Sequence, residues 1–468
     1  MQRLYPLAFT LLIASCAITR VEPPAVPAPE PFKETALWQH AAGVDAATVP
    51  DDWWALFKDP VLDDLAQRLT IGNENLKISL AQVASARAVM VASRSALFPT
   101  LSVGLAATRS ATPTSSNQPS TTSAVQNPAN SVSLQADASW EVDLWRRLSQ
   151  ASAGAQASYQ ASADDLAAAG LSAHATLVQT YFSMRTAEAQ HSLLERSVQA
   201  YQRSLDLTRA RYEGGVAALS DVLQAQTQLK TAQAQLLETA IQRAQFEHAI
   251  AVLLGMPPSA LTLERSTALP VPPAVPELLS STLLERRPDI AAAQRRVAAA
   301  YLQIGVADAA FFPALTLSAN VGYRQSSFGN LLSAPNLFWS LGSSLAQAIF
   351  DGGQRKLASD QARASADQAT ATYRQTVLTA FQEVEDNLVL ADHLQKEAAV
   401  QQEALQAAQR NVEITLDQYK AGTVSYLNVV TAQTAALTSE STLLSVQNRQ
   451  LAAVSLLLKN IAGRWEKV

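Results

Sequence analysis

"SVSLQADASWEVDL", residues 131–144, alternates without a break. Val132, Leu134, Ala136, Ala138, Trp140, Val142 and Leu144 fall on one register, and Ser131, Ser133, Gln135, Asp137, Ser139, Glu141 and Asp143 on the other. A strand turns successive side chains to opposite faces, so this stretch predicts a strand with one apolar and one polar surface. Upstream, Leu101, Val103, Leu105 and Ala107 alternate with Ser102, Gly104, Ala106 and Thr108, after a helical pattern that Phe98-Pro99 brings to a stop. The polar, turn-rich segment between the two reads as a hairpin loop.

Downstream, a helical pattern runs from about Trp145 to Tyr212. At about 1.5 Å per residue it would reach on the order of 100 Å, longer than an ordinary globular core needs. Near its end Val198, Tyr201, Leu205, Thr208 and Tyr212 step by three and four, the spacing of a coiled-coil seam. Gly215 breaks this helix, and another runs back from the turn.

The plan then recurs. A helix stops at Phe312-Pro313; Leu315, Leu317, Ala319, Val321 and Tyr323 alternate; Leu337, Trp339, Leu341 and Leu345 do so more loosely. A second long helix from about Gln354 to Tyr419 carries the seam Leu405, Ala408, Val412, Thr415 and Tyr419 and breaks at Gly422. "YEGGVAALSDVLQAQT" at 212–227 and "YKAGTVSYLNVVTAQT" at 419–434 are twins at an offset of 207. The expected organisation is repeat one over 51–260, with strands at about 99–110 and 131–144 and long helices over about 145–254. A Pro-rich equatorial segment follows over 261–285. Repeat two spans 286–468, with strands at about 313–325 and 336–349 and long helices over about 354–462.

The N-terminus, "MQRLYPLAFTLLIASC", has an early arginine, an apolar run and small residues before the chain's only cysteine. This predicts a signal peptide over 1–15; the run is shorter than the roughly 18 apolar residues that spanning a bilayer takes. "IASC" resembles a bacterial lipobox, which makes Cys16 a lipid anchor; the alternative is ordinary cleavage beside a chance cysteine. Residues 16–50 form a lipid-anchored, Pro-rich linker on this reading, and Ala17, not Asp, follows the cysteine, which allows outer-membrane sorting.

Composition narrows the function. Of 468 residues 48% are hydrophobic and only 16% charged, so the chain folds but its surface is under-charged, as in helices packed closely together. A net charge of -5 argues against nucleic acid as a partner. The five histidines are scattered without an HExxH motif, no cysteine pair is available for zinc, and no nucleophile and base share a recognisable arrangement. Neither an enzyme nor a cofactor is expected. Glu383, Glu385 and Asp386 read as a solvated helix face, and Arg286-Arg287 as solvated or salt-bridging.

Four amphipathic strands are too few to close a membrane barrel, and open edges are not tolerated in lipid. Three copies would supply about twelve strands and would gather the long helices into a tube. The apolar faces would then meet lipid, and Gln135, Asp137, Glu141 and Asp143 would line the barrel lumen. The same alternation fits a soluble sheet with one buried face, and the strands alone do not separate the two. The lipobox, the polar hairpin loops and the long coiled helices favour the membrane. A lipid-anchored periplasmic coiled-coil scaffold or adaptor is the alternative, but it has no need of the strands.

The lipobox, "DDWWALFKDP", both Phe-Pro junctions, "WEVDLWRR", "RRPDI", "IFDGGQR", "EVEDN" and the two Tyr-x-x-Gly tips occur in an order that resembles outer-membrane efflux channels of the TolC and OprM type, in their lipoprotein, NodT-like branch. The resemblance covers nearly everything after Cys16. It implies a mainly α fold with a membrane β-barrel portion, two tandem repeats of strand hairpin plus long coiled-coil helices, and a homotrimer forming a barrel and helical tunnel. The implied role is a passive conduit for drugs or other small molecules across the outer membrane of a Gram-negative bacterium. The implied partners are outer-membrane lipids, a periplasmic adaptor and an inner-membrane transporter of the RND type that supplies the energy. The family narrows its tunnel at the second tip, often with acids and a leucine. The matching positions here are Leu427, Asn428 and Thr431, with Asp221 of the first tip opposite Asn428 in the internal alignment. The leucine is present and the acids of the second tip are not. Arg146 stands where the family usually has glycine.

Overall fold

A computed structural model describes residues 50, 52–111, 128–266, 269–273 and 287–461. The expected signal peptide over 1–15, Cys16 and nearly all of the expected linker over 16–50 lie outside them. A 3-10 turn at Trp53–Phe57 leads to α1 (Pro60–Gly72), α2 (Glu74–Ser95), β1 (Thr100–Ser110), β2 (Ala129–Val142), α3 (Arg147–Glu213) and α4 (Leu219–Leu253). Then come α5 (Pro288–Ala309), β3 (Ala314–Gln325), β4 (Leu337–Ala346), α6 (Gln354–Lys420) and α7 (Tyr426–Ile461). The repeat is close in length as well as in order: α2 and α5 have 22 residues each, and α3 and α6 have 67 each. Corresponding elements start 214 residues apart through the first strand of each pair, 208 apart at the second strand and 207 apart at both long helices that follow. The stretch between β3 and β4, 326–336, is seven residues shorter than that between β1 and β2, 111–128, which accounts for the change.

The described residues divide into two units, one made of 83–161 and 294–372 and the other of the remainder. The first holds a four-stranded sheet in the order β1-β2-β3-β4, antiparallel throughout. Its register turns the alternation in the sequence into two surfaces. Val103, Ala136, Val321 and Trp339 lie in one row, and Ser102, Asp137, Asn320 and Ser340 in an adjacent row on the opposite face. The Ser340 hydroxyl donates to Asn320 Oδ1 at 3.1 Å across the polar face. On the apolar face Leu101 is 76% exposed and Leu341 75%, and among the described residues only Val132 of that face is buried. Gly322 faces Gln135 so closely that a Cβ there would run into the Leu134 carbonyl and Gln135 itself. Among the described residues both outer edges, on β1 and β4, lack a strand partner.

Strand-to-helix junctions are fixed by polar contacts. Asp143, one residue past the end of β2, accepts from the backbone N–H groups of Leu148 at 2.9 Å and Ser149 at 2.8 Å, satisfying donors that a helix start leaves open. Arg147 grips both oxygens of Glu141, at 2.8 and 2.7 Å. The Trp145 indole N–H donates to the Pro313 carbonyl at 2.8 Å and its ring stacks on Phe312 at 4.8 Å, joining the "WEVDLWRR" segment to the second Phe-Pro stop. In the same unit Asp308 on α5 accepts from Ser359 at 2.6 Å and Arg363 at 2.9 Å on α6. The residue just before each long helix is left-handed: Gly353 at φ 87° ahead of α6, and Arg146 at φ 59° ahead of α3.

The second unit has the larger core. Trp53, Phe57, Leu62, Leu65 and Leu69 pack with Leu177, Tyr181 and Phe182 of α3, Ile250 and Leu254 near the end of α4, and Leu457 and Leu458 of α7. Each large apolar side chain so buried contributes about 1.5–3 kcal/mol. Asp59 starts α1 by accepting from Val61 N at 3.0 Å and Leu62 N at 3.3 Å, and takes the Tyr181 hydroxyl at 2.6 Å. Glu188, buried, pairs with Arg185 at 2.8 Å and Arg243 at 2.9 Å and accepts from Ser266 N at 3.1 Å, so the segment after α4 is pinned by charge-assisted bonds. Arg287 meets Asp289 at 2.7 Å, Glu383 at 2.9 Å and Asn460 at 3.1 Å. The "RRPDI" and "EVEDN" motifs thus meet in a structural ion-pair cluster.

Among the described residues no helix is long and apolar enough to cross a membrane. None of the residues of α2 is buried within the chain.

Candidate channel gate

Both helical hairpins turn at their tips by the same hydrogen bonds. Gly215 N donates to Tyr212 O at 2.9 Å and Val216 N to Arg211 O at 2.9 Å; 207 residues on, Gly422 N donates to Tyr419 O and Thr423 N to Gln418 O, each at 3.0 Å. The glycines sit at φ 73° and 79°. These are C-terminal caps in which a left-handed residue lets the last carbonyls of α3 and α6 find donors.

Below the turns, Tyr201, Leu205, Val222, Ala225, Leu229, Tyr419, Tyr426 and Val429 form one apolar cluster. The seam residues Thr208 and Thr415 are buried in the same region. The twins then part company: Tyr419 is buried, whereas Tyr212 is 44% exposed. Tyr419 and Tyr426 meet edge to face at 5.4 Å. Burial, with Tyr419, Tyr201 and the charge of Asp221 adding to it, pushes the Tyr426 phenol up to about 12. Gln433 Nε2 donates to Ser204 Oγ at 3.1 Å, a buried tie from α7 to α3.

Leu427, Asn428 and Thr431 lie together on the exposed face of the first turns of α7, opposite buried Tyr426 and Val429. The Thr431 hydroxyl donates to the Leu427 carbonyl at 2.9 Å, so on this face it is locally satisfied. Asp221 occupies the first turn of α4, on the other hairpin, half-buried.

Arg211 belongs to no motif or repeat spacing in the sequence. From the last turn of α3 its Nη1 donates to the carbonyls of Tyr419 at 3.1 Å and Lys420 at 3.0 Å, and its guanidinium lies over the Tyr419 ring at 4.8 Å. A cation at the C-terminal end of α6 also meets the negative end of that helix. One side chain therefore ties the two tips of the chain together. Its acceptors are backbone atoms 208 and 209 residues away, and no sequence pattern marks them.

On the sheet, Gln135 and Asp137 lie on the polar face as expected from alternation. Glu141 shares that face but is held by Arg147, and Asp143 lies beyond the strand, where it caps α3. Among the described residues no group of three potential metal ligands occurs.

The model of the family described as outer membrane efflux protein matches residues 65–256 and 279–463. The chain belongs to the outer membrane efflux protein family. This efflux protein is 28% identical over 460 residues to the probable efflux pump outer membrane protein TtgC of Pseudomonas putida, covering 97% of the chain and 94% of the relative. It is 30% identical over 469 residues to the pyoverdine export outer membrane protein OpmQ of Pseudomonas aeruginosa, covering 100% and 98%. Its fold matches the solved structure of the outer-membrane channel OprN with a TM-score of 0.83 at 28% identity, covering 95% of this chain and 99% of that one. The efflux protein is therefore an outer-membrane channel component of an efflux system, with its helical portion in the periplasm.

Proposed function

We propose that this efflux protein works as a homotrimer in which twelve strands close one barrel and the helical hairpins form a tunnel. The observation that carries the reading is the sheet itself: among the described residues, four strands, two unpartnered edges and a largely exposed apolar face. Backbone groups at an open edge find no water in a bilayer, so other copies must supply the missing partners. Cys16 carries the lipid anchor. Gln135 and Asp137 line the lumen, with Glu141 and Asp143 at its helix-proximal end.

The tip is the gate. Leu427, Asn428 and Thr431 form the constriction with Asp221, the second hairpin moves on opening, and Arg211 holds it at rest. With no acid on the second tip, cation preference at the constriction rests on Asp221. The cargo is small molecules, in keeping with TtgC and OpmQ, whose names assign them to an efflux pump and to pyoverdine export. Transport is passive here; a periplasmic adaptor and an RND-type inner-membrane transporter complete the path.

The test is single-channel conductance of the lipidated protein in a planar bilayer, with its mass in detergent measured alongside. Discrete steps from a trimer support the reading. A monomer that neither inserts nor conducts, even with Leu427→Ala and Thr431→Ala, sinks it. Locking residue 211 to residue 420 through an engineered disulfide tests the moving tip, and undiminished transport by the oxidised protein would remove it.

A further inference from the structure

The apolar face of the sheet ends at a defined row. On β2 it runs from Val132 to Trp140, nine residues and eight steps, or about 26 Å at roughly 3.3 Å per step. A strand tilt of about 40° reduces this to roughly 20 Å along the membrane normal, close to the apolar band of about 25 Å found on membrane barrels. Trp140, 38% exposed with its N–H donated to the Leu97 carbonyl at 3.0 Å, therefore stands at the helix-proximal boundary. Amphipathic aromatic side chains favour that depth.

Beyond that row, at the same ends of the strands, further large apolar side chains are uncovered. Phe98 ahead of β1 is 62% exposed, and Ile349 and Phe350 after β4 are 96% and 90% exposed. Two exposed cations accompany them, Arg146 between β2 and α3 and Lys356 in the first turn of α6. Their neighbours are neutralised, Arg147 by Glu141 and Arg355 by Asp351, yet among the described residues neither Arg146 nor Lys356 has a carboxylate in ion-pair range. Arg146 is moreover held at φ 59°, in the left-handed region that Gly353 occupies ahead of α6 without strain. An arginine kept in a glycine conformation, exposed, unpaired and within a few residues of a membrane boundary, has the chemistry to hold a phosphate.

We propose that Arg146 and Lys356 each hold the phosphate of an anionic phospholipid in the periplasmic leaflet, at the headgroup level just beyond the Trp140 row, with Phe98, Ile349 and Phe350 at the interface where the acyl chains begin. This rests on the outer-membrane channel reading. Arg146 follows an inner strand of the sheet, not an edge, so the strand pairing that closes a barrel leaves its junction uncovered. Arginine supplies a planar fork for the phosphate oxygens and lysine a point charge.

The experiment is native mass spectrometry of the full, lipidated protein titrated with phosphatidylglycerol or phosphatidylcholine, comparing wild type with Arg146→Gly, Arg146→Gln and Lys356→Gln. Each loss of a cation should weaken phosphatidylglycerol binding about fivefold and leave phosphatidylcholine unchanged. Inorganic phosphate should not compete, since the acyl contacts are part of the site; effective competition would mark a free anion as the ligand and overturn the lipid assignment. Arg146→Gly should also raise the unfolding temperature while losing lipid, a combination that a purely structural arginine would not give. Unchanged phosphatidylglycerol binding in all three variants overturns the proposal. Dissociation of the oligomer in Arg146→Gln overturns it in favour of a contact between copies. Planar-bilayer conductance of the same wild-type sample separates the two levels: a conducting protein without lipid preference fails here alone, and a non-inserting one fails the channel reading.

Discussion

Arg211 holds two carbonyls of the second tip and one face of Tyr419. Hydrogen bonds from a charged donor are worth about 1.5–3 kcal/mol when well made, less where solvent competes. Arg211→Ala should therefore loosen the second tip without unfolding the chain. The expected outcome is a larger or more frequently open resting conductance, and an unchanged single-channel record would show that this tie does not restrain the gate. His174 offers a second residue-scale prediction. Its Nδ1 faces the Gly170 carbonyl at 2.8 Å, its Nε2 faces Thr70 Oγ1 at 3.1 Å, and its ring stacks on Trp54 at 4.2 Å. Burial lowers its pKa below the ordinary histidine value, against hydrogen bonds to backbone that work the other way. The unfolded chain therefore takes up this proton first as pH falls. Stability contributed here is complete above about pH 6.5 and declines as pH drops through that value towards the folded pKa. Unfolding temperatures should fall between about pH 7.5 and about pH 5.5, and His174→Phe, which keeps a ring against Trp54, should flatten that part of the profile.

At the scale of elements, the strands are legible because period-two alternation survives into a sheet whose apolar side chains are, among the described residues, largely exposed. The long helices were legible because proline and glycine mark their stops and starts. Polar roles were less so. Asp143 continues the alternation of β2 in the sequence, yet the strand has ended, and the open N–H groups of Leu148 and Ser149 claim its carboxylate. Tyr212 continues the seam by spacing, but it is exposed where its twin Tyr419 is buried. Of the proposed gate, Leu427, Asn428 and Thr431 are placed by the family resemblance and Asp221 by the twin alignment, while Arg211 is marked by neither. Two glycines separate two physical causes. At Gly422 an added Cβ would meet only Arg211 Nη2, at 3.6 Å, so Gly422→Ala should cost about 1–2 kcal/mol through its positive φ alone. It should give a folded protein with a lowered unfolding temperature. At Gly322 the obstacle is the backbone of β2, and Gly322→Ala should prevent the sheet from forming, seen as loss of the protein from outer-membrane fractions.

For the whole molecule, the two faces of the sheet should respond to charge in opposite ways. Leu341→Lys puts a cation on the uncovered apolar face, at a cost of about 2–4 kcal/mol near the middle of a bilayer, and should reduce membrane insertion. Asp137→Asn changes the polar face and should leave insertion and oligomer mass intact while lowering the preference for cations in bilayer recordings. If both variants failed to insert, the assignment of the two faces would be wrong.

The shared length of 67 residues in α3 and α6 has a consequence for how such a protein can change size. Removing seven residues from one long helix alone would slide its seam past its neighbours' and leave one tip short of the other. Taking a heptad from the same level of both, with matching cuts in the returning α4 and α7, would keep every seam in phase. Reach across the periplasm is thus a quantised trait, open to evolution or engineering in paired steps of about 10 Å and closed to anything in between.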